Sequence, residues 1–281
     1  MPVLDLDSCP EFPVAFIPST TADRLISLLS SEAVIQFSMT SKYLYRRCLV
    51  LRGIQIKQLS YFLQERNIHI SDRDSLDLQD IPEKLIPHLN IHHCHIGIGC
   101  RIPPLIQRNY DAITMFGFRQ DYEYLIDYLL IPKLRNLILN FGVHLAVQDV
   151  QQLLSKISNI KKLHAVFCPG PDVVKTFEIA EEWSRNTPSL QTYLLSAHRE
   201  LRVSKNEKIN GIFTTISFFG KRNGLDFFLN KCLYPGITKA EIEFGCPLSK
   251  EEVSSILNKL KDVTSLSIVS DEYFYQMEVI S

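Results

Sequence analysis

The sequence predicts an α/β fold in which short strands and helices alternate as a stack of similar units behind a small helical head. Three observations carry this. An apolar phrase recurs eight times beyond about residue 80. Between its copies lie segments of helical length with apolar residues at three and four spacing and recognisable ends. Ahead of them, residues 13–48 hold two short amphipathic helical patterns. The expected division is a helical head at 13–48, a connecting helical segment at 49–80 and a stack with a curved parallel sheet at 81–281.

The phrase is apolar, two others, apolar, one other, apolar. It reads Leu134-x-x-Leu137-x-Leu139, Ile160-x-x-Leu163-x-Ala165, Leu190-x-x-Tyr193-x-Leu195, Phe213-x-x-Ile216-x-Phe218, Ile237-x-x-Ala240-x-Ile242 and Val263-x-x-Leu266-x-Ile268. Weaker copies stand at Ile86-x-x-Leu89-x-Ile91 and Tyr110-x-x-Ile113-x-Met115. The middle apolar residues lie at 89, 113, 137, 163, 193, 216, 240 and 266, with intervals of 24, 24, 26, 30, 23, 24 and 26. A doubly wound sheet also alternates strands with helices, yet it does not require near-constant spacing. The period and its core phrase resemble the leucine-rich repeat, although the Asn or Cys that usually follows the strand there is missing from most copies. That resemblance implies a solenoid.

Between the phrases, Ser249 and Glu252 form a capping box ahead of Val253, Ile256, Leu257 and Leu260. Val147, Val150, Leu153, Leu154 and Ile157 make a similar face. Asp172 is placed to cap the run with Val173, Val174, Phe177 and Trp183, and Asn223-Gly224 opens one with Leu225, Phe228 and Leu229. In the connecting segment, Ile56, Leu59, Phe62 and Leu63 predict a helix over 53–66. Residues 198–210 are charged and turn-rich, so a projecting loop is expected there.

In the head, Leu25, Leu28 and Leu29, then Val34 and Phe37, then Ser41 and Tyr45 recur at helical spacing. Pro18 opens the first helix and Ser30 caps the second. Helices this short cannot bury their apolar faces alone. Thirty residues from Ile17 to Arg46 fall without a gap on the F-box pattern, with Ile17-Pro18 at its opening Leu-Pro and Thr40-Ser41-Lys42 at its turn. The segment resembles an F-box. That likeness implies binding to a Skp-type adaptor, and so to a cullin, through Pro18, Leu25, Leu28, Leu29, Val34, Phe37 and Ser41. The stack would then select a protein substrate for ubiquitination. The same features are compatible with a repeat scaffold or inhibitor that binds a partner on its concave face without any ubiquitin link.

Bulk properties narrow the remaining classes. The chain has 281 residues, 46% hydrophobic and 22% charged, as for a soluble globular protein. With 30 basic and 31 acidic residues, net charge −1, no nucleic-acid partner is expected. Seven scattered cysteines in apolar runs read as buried thiols rather than a disulfide framework. The acidic first residues lack a signal-peptide core and no apolar run reaches bilayer length, so no membrane association and a cytoplasmic or nuclear location are expected.

Chemistry-bearing motifs are few. His92, His93, Cys94, His95 and Cys100 are all zinc-ligand types, but on a strand His92 and Cys94 face opposite to His93 and His95. No cofactor or metal is expected from that spacing. Phe219-Gly220-Lys221-Arg222-Asn223-Gly224 has the wrong order for a phosphate loop and reads as a helix start. Cys168-Pro169-Gly170-Pro171 reads as a turn leaving a strand. The chain is not expected to be an enzyme. Side chains next to the phrase's inward residues point to the opposite face of the sheet. Among them Phe116, Ile138, Val166, Leu194 and Phe219 form an apolar stripe, the candidate partner-binding surface.

Overall fold

The computed structural model describes residues 54–61, 75–77, 89–102, 110–260, 263–271 and 273–278, with scattered positions between 21 and 36. It comprises two compact units, Met1–Met115 and Phe116–Ser281. In the first, β1 (Ile54–Tyr61), β2 (Ser75–Asp77), β3 (Leu89–Ile96) and β4 (Tyr110–Gly117) as far as Met115 pair in parallel in the order β2-β1-β3-β4, the last two residues of β4 belonging to the second unit. Over Ile54–Tyr61 a strand forms in place of the helix expected over 53–66, whose remaining residues lie outside the described ones. Ile54 lies opposite Leu89 and Tyr61 opposite Ile96. The short alternation Ile54-x-Ile56, with β-branched residues suited to a pleat, prevails over the helical spacing of Ile56 and Leu59.

The second unit contains β5 (Asn136–His144), β6 (Lys162–Cys168), β7 (Thr192–Ala197), β8 (Leu201–Ile209), β9 (Ile212–Gly220), β10 (Lys239–Phe244), β11 (Ser265–Ser270) and β12 (Tyr273–Glu278). These strands lie side by side in chain order. Its helical elements are α1 (Arg119–Tyr124), α2 (Val147–Lys156), α3 (Val173–Asn186), the short α4 (Leu225–Phe227) and α5 (Lys250–Lys259). Because the order of β5 to β7 and of β9 to β11 never reverses, crossovers of one hand keep their helices on one face. The strand residues facing them are buried: Leu137, Leu139, Leu163, Ile216, Ile242 and Leu266 are at most 2% exposed. Every middle residue of the recurring phrase lies on a strand.

The sheet is mostly parallel, not wholly so. β8 runs antiparallel to β7 and β9, and β12 antiparallel to β11. The expected loop at 198–210 is therefore mainly β8. Leu201 and Val203 face the core in alternation, and the third inward position is Lys205, 0% exposed. A lysine at that position conceals the period-two pattern. The turn after it was readable: Asn210-Gly211 joins β8 to β9 with both residues at positive φ, 53° and 83°, as a two-residue hairpin turn requires.

Lys205 is held against α3. Its ammonium donates to buried Glu181, which also accepts from Arg185 Nε at 3.3 Å. The Lys205 nitrogen stands 4.6 Å from the Tyr234 ring centre. Lys208 donates to the Thr187 carbonyl at 2.9 Å, just past the end of the same helix. Two lysines thus tie the inserted strand to α3.

Residues 118–157 and 160–168 repeat the arrangement of residues 221–260 and 263–271 in constant register. Arg119 donates to both carboxylate oxygens of Asp149, at 2.5 and 2.8 Å, and Arg222 meets Glu252 at 2.8 Å. Lys156 donates to the Ile126 carbonyl and Lys259 to that of Leu229, at 2.7 and 2.5 Å. Those acceptors lie in matching π-turns, Leu125–Leu129 and Phe228–Cys232, each followed by a proline, Pro132 or Pro235, that stops the helix. Asp149 and Glu252 also accept the backbone N–H of Ala146 and Ser249 at the helix starts, at 2.9 and 2.7 Å. Each acidic residue therefore caps its own helix and holds the preceding helical segment. Asp172, by contrast, makes no side-chain cap bond to α3.

Candidate partner-binding face

Opposite the helices, the second unit presents the other side of β5 to β11. Strand register sets its rows. Ile138 stands beside His164, His164 beside Leu194, and Leu194 beside Ser204. The row continues through Ser217, Glu241 and Ser267. In the next row Val166 is followed by Ser196, Arg202, Phe219, Glu243 and Val269. The rows are apolar toward β5 and acidic at β10.

Of the stripe named from the sequence, Ile138, Val166, Leu194 and Phe219 lie on this face and Phe116 stands near the end of β4, and none is fully exposed. Phe116, Ile138, Val166, Leu194 and Phe219 are all half-buried. Neighbouring side chains two strand positions away shield them, as on any pleated surface. His164, between Ile138 and Leu194, has its pKa lowered by burial and then by Lys162, so at neutral pH it is an uncharged member of the apolar part. The sequence reading missed Arg202 and Ser204, because it placed β8 in a loop. The Asn210-Gly211 dipeptide was the signal that could have put them on the sheet.

Across β8 to β11 the face dips into a groove of about 410 Å³ lined by Arg202, Ser217, Glu241, Glu243, Ser267 and Val269, among others. Among the described residues, Glu241 and Glu243 have no hydrogen-bond or ion-pair partner. The nearby carboxylate of Glu207 does, accepting from Thr215 at 3.0 Å and lying 4.0 Å from Lys239. The Phe219 ring lies over Gly245, 3.7 Å from where a β-carbon would stand, so the glycine leaves room for the ring beside the groove.

Of the adaptor-binding residues named from the sequence, Leu25 and Leu28 are helical and 44% and 79% exposed, and Leu29 is half-buried. Pro18, Val34, Phe37 and Ser41 lie outside the described residues. In the first unit, the rings of His93 and His95 are 4.2 Å apart, and His93 Nε2 is 2.9 Å from Thr114 Oγ1. His92 reaches Asp111 at 3.4 Å, and burial pushes the Cys94 thiol up to about 12. Among the described residues, no three His, Cys, Asp or Glu side chains are grouped to hold a metal ion. No helix among them is long and apolar enough to cross a membrane. Comparison with protein-family models and with curated protein sequences gave no match.

Proposed function

We propose that this chain is a non-catalytic substrate-recognition subunit of an SCF-type ubiquitin ligase. Its F-box-like head, 13–48, binds a Skp-type adaptor and through it a cullin. Divergent leucine-rich-type coils form a solenoid whose open face takes a protein substrate. Ubiquitin transfer is left to other subunits, and the chain works in the cytoplasm or nucleus. The observation that carries this reading is the ungapped F-box pattern from Ile17 to Arg46. Exposed Leu25 and Leu28, one helical turn apart, support it as apolar groups suited to a partner. Strands in chain order, with one face buried and the other open, support the coils.

Co-purification tests the head. Leu28→Asp combined with Phe37→Asp is expected to abolish recovery of adaptor and cullin while leaving the thermal midpoint within about 2 °C, because the exposed Leu28 contributes little to folding. Undiminished recovery rejects the F-box assignment. In that event a scaffold or inhibitor acting through the same open face becomes the better account.

The open face has its own test. Phe116→Ser with Ile138→Ser should reduce captured partner proteins without affecting the adaptor. Since both side chains are half-buried, a stability loss of about 1–2 kcal/mol is also expected. A larger loss with unchanged capture would make these residues core.

A further inference from the structure

We infer that the groove across β8 to β11 is a docking site for a cationic and apolar peptide segment of a partner protein, one that places Lys or Arg side chains beside a large apolar residue. This rests on reading the open face as the capture surface, and it assigns the chemistry of what is captured.

The repeated arrangement within the chain supplies an internal comparison. Phe219 corresponds to Phe116 and Val269 to Val166, the same residues at the same places. Between them, Ile138 and Asn140 of the first copy are replaced by Glu241 and Glu243 in the second. The strands, π-turns and inter-helix ion pairs are retained in both. The fold of this unit therefore does not need carboxylates at those two positions.

Nor do the carboxylates serve a neighbour. They alternate on one strand, so both point to the same face, about 7 Å apart. Both are exposed and without a partner among the described residues, whereas the ion pairs that staple the helices are all satisfied. Two like charges this close repel, which disfavours the free protein slightly and favours a cation arriving between them. Phe219 and Val269 flank Glu243 on the adjoining strands, so an apolar side chain next to that cation meets apolar surface. Arg202, on the far side of Phe219, confines the cation-binding region to β10 and can donate to a backbone carbonyl of the bound segment. Lys239 is turned to Glu207 and sets the other limit.

The test uses purified full-length protein and three fluorescein-labelled octapeptides, (Lys-Leu)4, (Lys-Ser)4 and (Glu-Leu)4, titrated by anisotropy at low and moderate salt. The first should bind tightest, and less tightly as salt rises. Glu241→Gln with Glu243→Gln should weaken it by about tenfold or more, with no fall in thermal midpoint, while Glu182→Gln on α3 should leave binding unchanged. Replacement by the first copy's own residues, Glu241→Ile with Glu243→Asn, should fold and also lose the preference for Lys over Glu. Absence of (Lys-Leu)4 binding overturns the inference. So does equal binding of (Glu-Leu)4 or (Lys-Ser)4, or unchanged affinity in the double Gln variant. Adaptor co-purification plays no part in this titration, so failure of the F-box reading and failure of the groove are separately visible.

Discussion

Lys205→Ala should lower the stability of the chain by about 3–5 kcal/mol, because it leaves the Glu181 carboxylate buried without its closest cation. The urea midpoint measures it. Arg185 also reaches Glu181, but it is 40% exposed and 3.3 Å away, so it offsets only part of the loss. Among the described residues, Glu181 Oε2 has no hydrogen-bond partner, so the carboxylate is already under-satisfied before the ammonium is lost. An apolar pair of similar volume, Lys205→Met with Glu181→Leu, should regain most of that stability, since removing both charges also removes their desolvation cost. If the single and double variants unfold together, the pair does not hold β8 to α3 as described.

Phe228→Ala should cost about 3–5 kcal/mol. Phe228 is 0% exposed and meets Phe218 at 4.3 Å and Phe244 at 5.8 Å between ring centres. The corresponding position of the first copy is Leu125, also 0% exposed. Phe228→Leu should therefore cost clearly less than the alanine change, because a leucine already fills an equivalent π-turn. Thermal unfolding of the two variants decides it. Equal losses would mean that the three rings pack as an interdependent set with no analogue in the first copy.

The inward face of the sheet was legible in the sequence because it obeys a single rule. Leu137, Leu163, Ile216 and Leu266 keep the phrase, and all are at most 1% exposed. Where the rule breaks, the reading broke with it. Lys205 occupies an apolar position and hid a whole strand, and with it Arg202 and Ser204 of the candidate site. At Ile54–Tyr61 two patterns overlap, and strand pairing with residues more than thirty positions away chose between them. The paired copies were also present in the numbers, since the intervals 24 and 26 occur after Ile113 and again after Ile216. Only the matching contacts of Arg119 and Arg222, and of Lys156 and Lys259, make that coincidence a structural equivalence. The groove was not legible at all. It needs the register that sets Glu243 between Phe219 and Val269, and register is fixed by tertiary packing.

Chain-order pairing of β5 to β12 has a kinetic consequence. Each strand of the second unit finds its partner after a loop of at most about thirty residues, and loop closure on that scale costs little extra entropy per added residue. The shortest closure is the Asn210-Gly211 turn, and hairpins form in about 1–10 microseconds. Folding of this unit is therefore expected to begin at β8 and β9 and to spread outward in both directions, with the strand that interrupts the parallel order acting as its starting point.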